Sequence, residues 1–352
     1  MYKVKTFLSI IKGKVLGYFM LKMSRDESPF VCDLGKGCVK YGRKYEVFRK
    51  AYVEYRDCLK GINDNLYLLL NDSDKELFIR FFLKRFFDVN TINKEEVDYI
   101  NRSFDEVRKI YETGHDGYLE FMFRGIKIKY MKKRELIKDE SKDESILMNY
   151  FDVAHAFFLI EYEMDGYNPK DGQTILDCGA AYGDTLILFR CLYPNSRIIS
   201  FEAVEDNIQV IKENVLLNNI RNVDLIQGYL YKDSNEHVLN SETWKINDTL
   251  SGVNTKKITT IALDDIVDQN GIKDVGLIKF DIEGAEQEAL LGSVRTIKRY
   301  KPLLYIPIYH LRSDIYMIPE FLRKLNMPME FKLKWTEKKV WGVDCVLFVR
   351  FV

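Results

Sequence analysis

From residue 146 onward, short β-branched apolar runs alternate with amphipathic stretches of about 10 to 18 residues, the rhythm of a parallel α/β sheet. Seven strands are predicted, over residues 174–178, 197–203, 223–229, 277–282, 302–309, 329–335 and 344–351. No helix-length segment separates the last two, so the sheet should end in an antiparallel hairpin. Residues 230–260 are polar and rich in turn residues, which predicts an inserted hairpin or loop before a helix beginning at Asp264 or Asp265. Upstream the texture differs. Residues 45–114 read as mostly helical, and NDSDKELFIRFFLKRFF predicts a helix capped by Asp72 or Ser73, with Leu77, Phe78, Phe81, Phe82 and Phe86 along its apolar face. Residues 118–130 alternate around Gly125, as a hairpin or bent strand would, and a charged connector follows. The boundary is placed near 145, between a mainly helical region (1–145) and an α/β domain (146–352).

Composition narrows the classes. The chain has 352 residues, 47% hydrophobic and 30% charged, which excludes a disordered chain and a small disulfide scaffold. Basic and acidic residues balance at 53 each, so no global field exists to hold a polyanion, and nucleic acid is not expected as the main partner. Charge is nonetheless uneven: residues 1–50 carry 12 basic and 4 acidic side chains, leaving that arm at +8. Residues 1–23 hold five lysines, no acid and an apolar stripe (Val4, Phe7, Leu8, Ile11, Val15, Tyr18, Phe19). Lys12 and Lys14 interrupt the run, which fits neither a bilayer span nor a signal peptide. The stripe suits peripheral contact with an anionic membrane surface, or packing on the chain's own domain or on a second subunit of a homo-oligomer. Six cysteines without a CxxC pair read as reduced thiols, hence a cytoplasmic protein, which the peripheral-contact reading of the stripe would place at the inner face of a membrane.

The chemistry concentrates in ILDCGAAYGDT, where an apolar strand ends at Asp177 and passes through Gly179 and Gly183 into a helix starting near Asp184. In open α/β sheets, ligands bind outside the carboxyl ends of the strands, where glycine admits close backbone approach. Glu202, 23 residues beyond Gly179 at the end of the second strand, has the reach to accept hydrogen bonds from a ribose diol. A dinucleotide fingerprint would need G-x-G-x-x-G, and the pattern here is D-x-G-x-x-x-G. An acid in place of the first glycine suits a cationic amino acid and sulfonium better than a diphosphate, and S-adenosylmethionine fits that logic.

Three blocks in order, DCGAAYGDT, FEAVEDN and LIKFDIEGAE, with LDDI before the last, closely resemble the FkbM-type S-adenosylmethionine-dependent methyltransferases over roughly residues 170–350. The resemblance implies a class I fold, with a seven-stranded mostly parallel sheet and an antiparallel last strand. It also implies O-methylation of a sugar or other small metabolite. Carried over, Asp177, Gly179, Ala180, Tyr182, Gly183 and Thr185 line the methionine and ribose side, with Asp281 beside them. Glu202 holds the ribose hydroxyls and Ala203, where the family usually has proline, lies under the adenine. Gly228 and Tyr229 flank the adenine by position.

Methyl transfer to a hydroxyl needs alignment and a proton acceptor. His310, in PIYHLRSD after the fifth strand, is the candidate base or acceptor ligand, with Asp281 and Glu283 as competitors; acids at that helix start also satisfy free amides, Glu286 among them. A divalent metal would use Asp281 and Glu283 with Asp264 or Asp265, but nothing in the spacing requires one, and none is expected. His115, His155 and His237 are read as ordinary side chains and Cys178 as a buried thiol. The reading is an O-methyltransferase acting on a sugar hydroxyl of a glycan or glycolipid precursor. Its rivals are an NAD-dependent oxidoreductase or epimerase and a non-catalytic scaffold of the same fold.

Overall fold

The computed structural model describes residues 59–87, 92–113, 117–131, 152–240, 245–247, 255–336 and 344–352. The amphipathic stripe of residues 1–23, His115, Cys32, Cys38, Cys58 and the boundary near 145 lie outside them. No described helix is long and apolar enough to cross a membrane.

The described chain opens with three helices, α1 (Leu59–Asn65), α2 (Asp72–Phe87) and α3 (Lys94–Thr113). The cap of α2 is neither Asp72 nor Ser73 but Asn71: its Oδ1 accepts the Asp74 N–H at 2.9 Å while its Nδ2 donates to the Asp74 carboxylate at 2.6 Å. At α3 the Asn93 Oδ1 accepts the Glu96 N–H at 2.9 Å, and the Asn93 backbone N–H donates back to the Glu96 carboxylate at 3.0 Å, a capping box. A hairpin follows, β1 (Tyr118–Phe123) and β2 (Ile126–Met131), closed at Arg124 and Gly125, which both have positive φ as a two-residue turn of the I′ kind requires.

The α/β part contains β3 (Thr174–Cys178), α4 (Asp184–Leu192), β4 (Ile198–Glu202), α5 (Glu205–Leu217) and β5 (Val223–Gln227). Next come β6 (Tyr229–Leu230), β7 (Glu236–Asn240), β8 (Lys245–Asn247), β9 (Thr255–Ile261) and α6 (Leu263–Gln269). The chain continues through β10 (Val275–Phe280), α7 (Glu286–Leu291), α8 (Val294–Tyr300), β11 (Leu303–Pro307), α9 (Asp314–Lys324), β12 (Met329–Trp335) and β13 (Cys345–Phe351). The main sheet runs β12-β13-β11-β10-β3-β4-β5. Its β11-β10-β3-β4-β5 part is parallel; β13 is antiparallel to both β11 and β12, the reversed edge of the class I methyltransferase fold. The segment after β5 grows into a second, four-stranded sheet, β6-β9-β7-β8, an elaboration of the predicted inserted hairpin.

Strand residues alternate between two apolar layers, because successive side chains point to opposite faces. Leu176, Cys178, Ile278, Phe280, Leu304 and Ile306 face one layer, and Ile175, Leu277, Tyr305 and Phe348 the other. The first layer also contains Ile62 of α1, Leu66 just after it, and Phe78, Phe81 and Phe82 of α2, packed with Phe331, Leu333 and Trp335 of β12. The Phe81 and Trp335 rings meet edge to face at 5.8 Å. The N-terminal helices therefore complete the core of the sheet rather than forming a core of their own.

Candidate active site

The strand order changes direction between β3 and β10, the switch point at which open α/β sheets bind ligands. A cavity of about 590 Å³ lies there, lined by Gly179, Tyr182, Glu202, Ala203, Gly228, Tyr229, Asp281 and Glu283 among others. That volume suits a cofactor-sized ligand. Gly179 makes the close approach possible: its φ is +85°, and a Cβ there would lie 1.7 Å from the Asp281 carbonyl oxygen.

Glu202 ends β4 and ties together the loops on either side of the cavity. Its carboxylate accepts N–H bonds from Ala181 (2.9 Å), Ala203 (3.0 Å) and Val204 (2.9 Å) and one from the Asn207 side chain (3.2 Å). The carboxylate thus lines the cavity while both of its oxygens accept protein N–H groups.

Asp177 stands elsewhere. It is fully buried and does not line the cavity, so its charge does not face the ligand as the spacing suggested. Register explains its surroundings: Ser200 of β4 and Lys279 of β10 are its cross-strand partners on the same face. Ser200 Oγ donates to Asp177 at 3.1 Å, Thr185 Oγ1 donates at 3.0 Å, and Lys279 Nζ is 3.3 Å away. Ala180, Gly183 and Thr185 likewise do not line the cavity: Ala180 and Thr185 are buried, and Gly183, at φ +85°, caps α4.

Lys279 is the residue that sequence reasoning missed. It is 1% exposed, donates to the Gly179 carbonyl at 2.7 Å, and lies 3.6 Å from Asp281 and 5.1 Å from the centre of the Tyr162 ring. Burial alone would lower its pKa, but Asp177 and Asp281 outweigh that and raise it. The signal was a lone cation inside the apolar run LIKF. Tyr162, whose hydroxyl donates to Asp281 Oδ2 at 2.9 Å, and Asp152, a further lining residue, carried no such signal.

His310 is nine-tenths buried behind the acidic rim. Its Nδ1 is 2.8 Å from Glu286 Oε1, and its Nε2 is 3.5 Å from Asp281 Oδ1 and 3.6 Å from Glu283 Oε2. Burial opposes its charge, but the Glu286 hydrogen bond and the fields of Glu286, Asp281 and Glu283 prevail and push its pKa up to about 10. With Nδ1 taken by Glu286 and Nε2 turned toward Asp281 and Glu283, the ring is held among carboxylates, and the structure gives His310 a holding role instead of the expected base. Glu286 both satisfies amides, accepting N–H bonds from Ile282 (2.9 Å) and Gly284 (3.3 Å), and holds the histidine. Glu283 sits at φ +56° with its carboxylate exposed to the cavity; partial desolvation there and the adjacent Asp281 raise its pKa.

The alternative metal ligands Asp264 and Asp265 are engaged elsewhere. Asp264 accepts the Arg295 and Thr296 N–H groups at the start of α8, and Asp265 pairs with Arg295 and Ser234. His237 contacts Asp233, His155 lies beside Glu161 and Asp344, and burial pushes the Cys178 thiol pKa well up.

Residues 177–327 match the Methyltransferase FkbM domain. No curated protein matches the chain. Among solved structures it is similar to the FkbM methyltransferase of Methylobacillus flagellatus KT, with 17% identity over 79% of this chain and 71% of that one and a TM-score of 0.45. It is similar also to Aeropyrum pernix fibrillarin with natively bound S-adenosyl-L-methionine (15% identity, 69% and 86% covered, TM-score 0.38). A third is M. jannaschii TYW2 in complex with AdoMet (12% identity, 68% and 87% covered, TM-score 0.36). The Gly179 cradle and the amide-held Glu202 fit the cofactor of that domain, and over residues 177–327 the chain carries an FkbM-type domain, which makes it an S-adenosylmethionine-dependent methyltransferase.

Proposed function

We propose that the enzyme methylates a hydroxyl of a carbohydrate, in a glycan or glycolipid precursor. The observation that carries this reading is the chemistry of the cavity's rim: Asp281 and Glu283 line it with carboxylates, which accept hydrogen bonds from a polyhydroxylated acceptor, and the buried Tyr162 and His310 stand behind them. When bound, the cofactor supplies an electrophilic methyl on a sulfonium. Glu202 and the Gly179 loop would hold its ribose and methionine parts, and Tyr229 and Ala203 its adenine. The chain's own task is to orient the acceptor oxygen and take its proton as the new C–O bond forms. Glu283, exposed to the cavity with a raised pKa, is the carboxylate best placed to receive that proton.

The test is transfer of isotopically labelled methyl groups from S-adenosylmethionine to a carbohydrate extract, with the labelled product located by mass spectrometry and NMR. Label on a sugar oxygen supports the reading; label on nitrogen, sulfur or carbon sinks it. Glu283→Gln should lower kcat by about 10²-fold or more while leaving cofactor affinity unchanged. We further propose that the basic arm brings the enzyme to anionic membrane surfaces, where glycolipid precursors reside; co-sedimentation with vesicles containing phosphatidylglycerol, lost at high salt, checks this.

A further inference from the structure

Three ligand-type atoms converge on the rim of the cavity from two loops. Asp281 and Glu283 follow β10 and His310 follows β11, and one ligand atom from each lies within 4.8 Å of the others. His310 Nε2 stands 3.5 Å from Asp281 Oδ1 and 3.6 Å from Glu283 Oε2, and it makes no hydrogen bond. Charge-assisted hydrogen bonds would draw these atoms to about 2.7–2.9 Å. Atoms bound at about 2.1 Å to one shared ion instead stand roughly 3.0–3.4 Å apart in octahedral or tetrahedral arrangement, close to what is seen.

The atoms around this trio are already committed, and in the way a metal site needs. Nδ1 of His310 is held at 2.8 Å by Glu286, whose side chain is fully buried, which leaves Nε2 directed at the two carboxylates. A histidine oriented through its other nitrogen by a buried carboxylate is the usual support of a metal-bound imidazole. Asp281 Oδ2 is taken by the Tyr162 hydroxyl, which leaves Oδ1 as the ligand atom. The turn that presents Glu283 is strained, with φ +56° at this non-glycine residue followed by +101° at Gly284.

We propose that Asp281, Glu283 and His310 bind a divalent cation, with Glu286 as the positioning residue for the imidazole. Two carboxylates and one imidazole suit a cation of the Mn²⁺ or Mg²⁺ kind, and three protein ligands leave positions open for water or an acceptor oxygen. The cation would occupy the acceptor side of the cavity and hold the hydroxyl that is to be methylated, Glu283 binding it through one carboxylate oxygen and keeping the other for the acceptor's proton. That role rests on the carbohydrate reading above, whereas cation binding itself does not.

The experiment is a titration of chelator-treated, full-length protein with Mn²⁺, free ion being counted by electron paramagnetic resonance. S-adenosylmethionine binding is measured by calorimetry on the same samples. One equivalent of Mn²⁺ per chain is expected, weakened at least tenfold by Glu283→Gln and by His310→Ala, and about 10- to 100-fold by Glu286→Gln. Glu283 is exposed, so its variant keeps the fold even if those of the buried residues do not, and circular dichroism melts verify each. Absence of bound Mn²⁺ at millimolar concentration, or affinity unchanged in Glu283→Gln and His310→Ala, overturns the site. Cofactor binding without Mn²⁺ binding would strike the cation site alone. Mn²⁺ bound at this site with methyl label found off oxygen would uphold the site and strike the carbohydrate reading.

Discussion

Gly179 and Lys279 show how single residues govern this site through positions that local sequence only half reveals. Gly179 has no room for a side chain, since the Asp281 carbonyl lies where a Cβ would be, and its φ is one that L-residues avoid. Gly179→Ala is therefore expected to weaken S-adenosylmethionine binding by at least tenfold and to lower the melting temperature, as calorimetry and thermal melts would show. Lys279 compensates the fully buried Asp177. Removing one partner of a buried pair leaves an uncompensated charge, so Lys279→Met should destabilise the protein by about 3–5 kcal/mol in urea unfolding. A change below about 1 kcal/mol would mean that Asp177 is neutralised by other means. Asp177→Ala is expected to act the same way, through stability first and cofactor affinity second, because this carboxylate does not reach the cavity.

Elements decide what the residues cannot. β3 and β10 place Asp177 and Lys279 in direct register, and β4 adds Ser200 to the same row, so that a polar line crosses an otherwise apolar sheet. At the start of α9, Asp314 is fully buried; it accepts the Leu311 N–H at 2.6 Å and the Gln287 amide at 2.7 Å. Burial raises its pKa to about 6, with the field of Glu286 adding to the rise. The folded state therefore favours the neutral acid. The associated stability is complete below the unfolded value near 4 and is lost as pH rises through about 6. Relative to Asp314→Asn, the wild type should lose about 1–3 kcal/mol between pH 4 and pH 7, measurable by urea unfolding across that range. A flat difference would show that the capping bonds fully offset the burial.

At the scale of the whole molecule, the helices before the hairpin are part of the enzyme. α2 buries Phe78, Phe81 and Phe82 against the sheet, and Arg85 donates to the Tyr309 carbonyl at 3.1 Å, beside His310. A chain beginning at residue 146 would expose Phe331, Leu333 and Trp335, an apolar surface of the kind that drives aggregation. It should be recovered as aggregate by size exclusion, whereas a monodisperse, melting species would show that the α/β part folds alone.

Periodicity determined the seven strands, and the short segment between the last two determined the reversed edge, because alternation of apolar positions and the length between them are local properties of the chain. The D-x-G-x-x-x-G turn and the acids at the strand ends were legible for the same reason: a strand's carboxyl end is a place in the sequence as well as in the fold. The partners of those acids were not. Lys279 beneath Asp177, Glu286 behind His310 and Tyr162 on Asp281 meet across 24 to 119 residues of chain. Charge compensation in a buried site depends on which side chains register and packing bring within a few ångströms, and only the tertiary structure decides that.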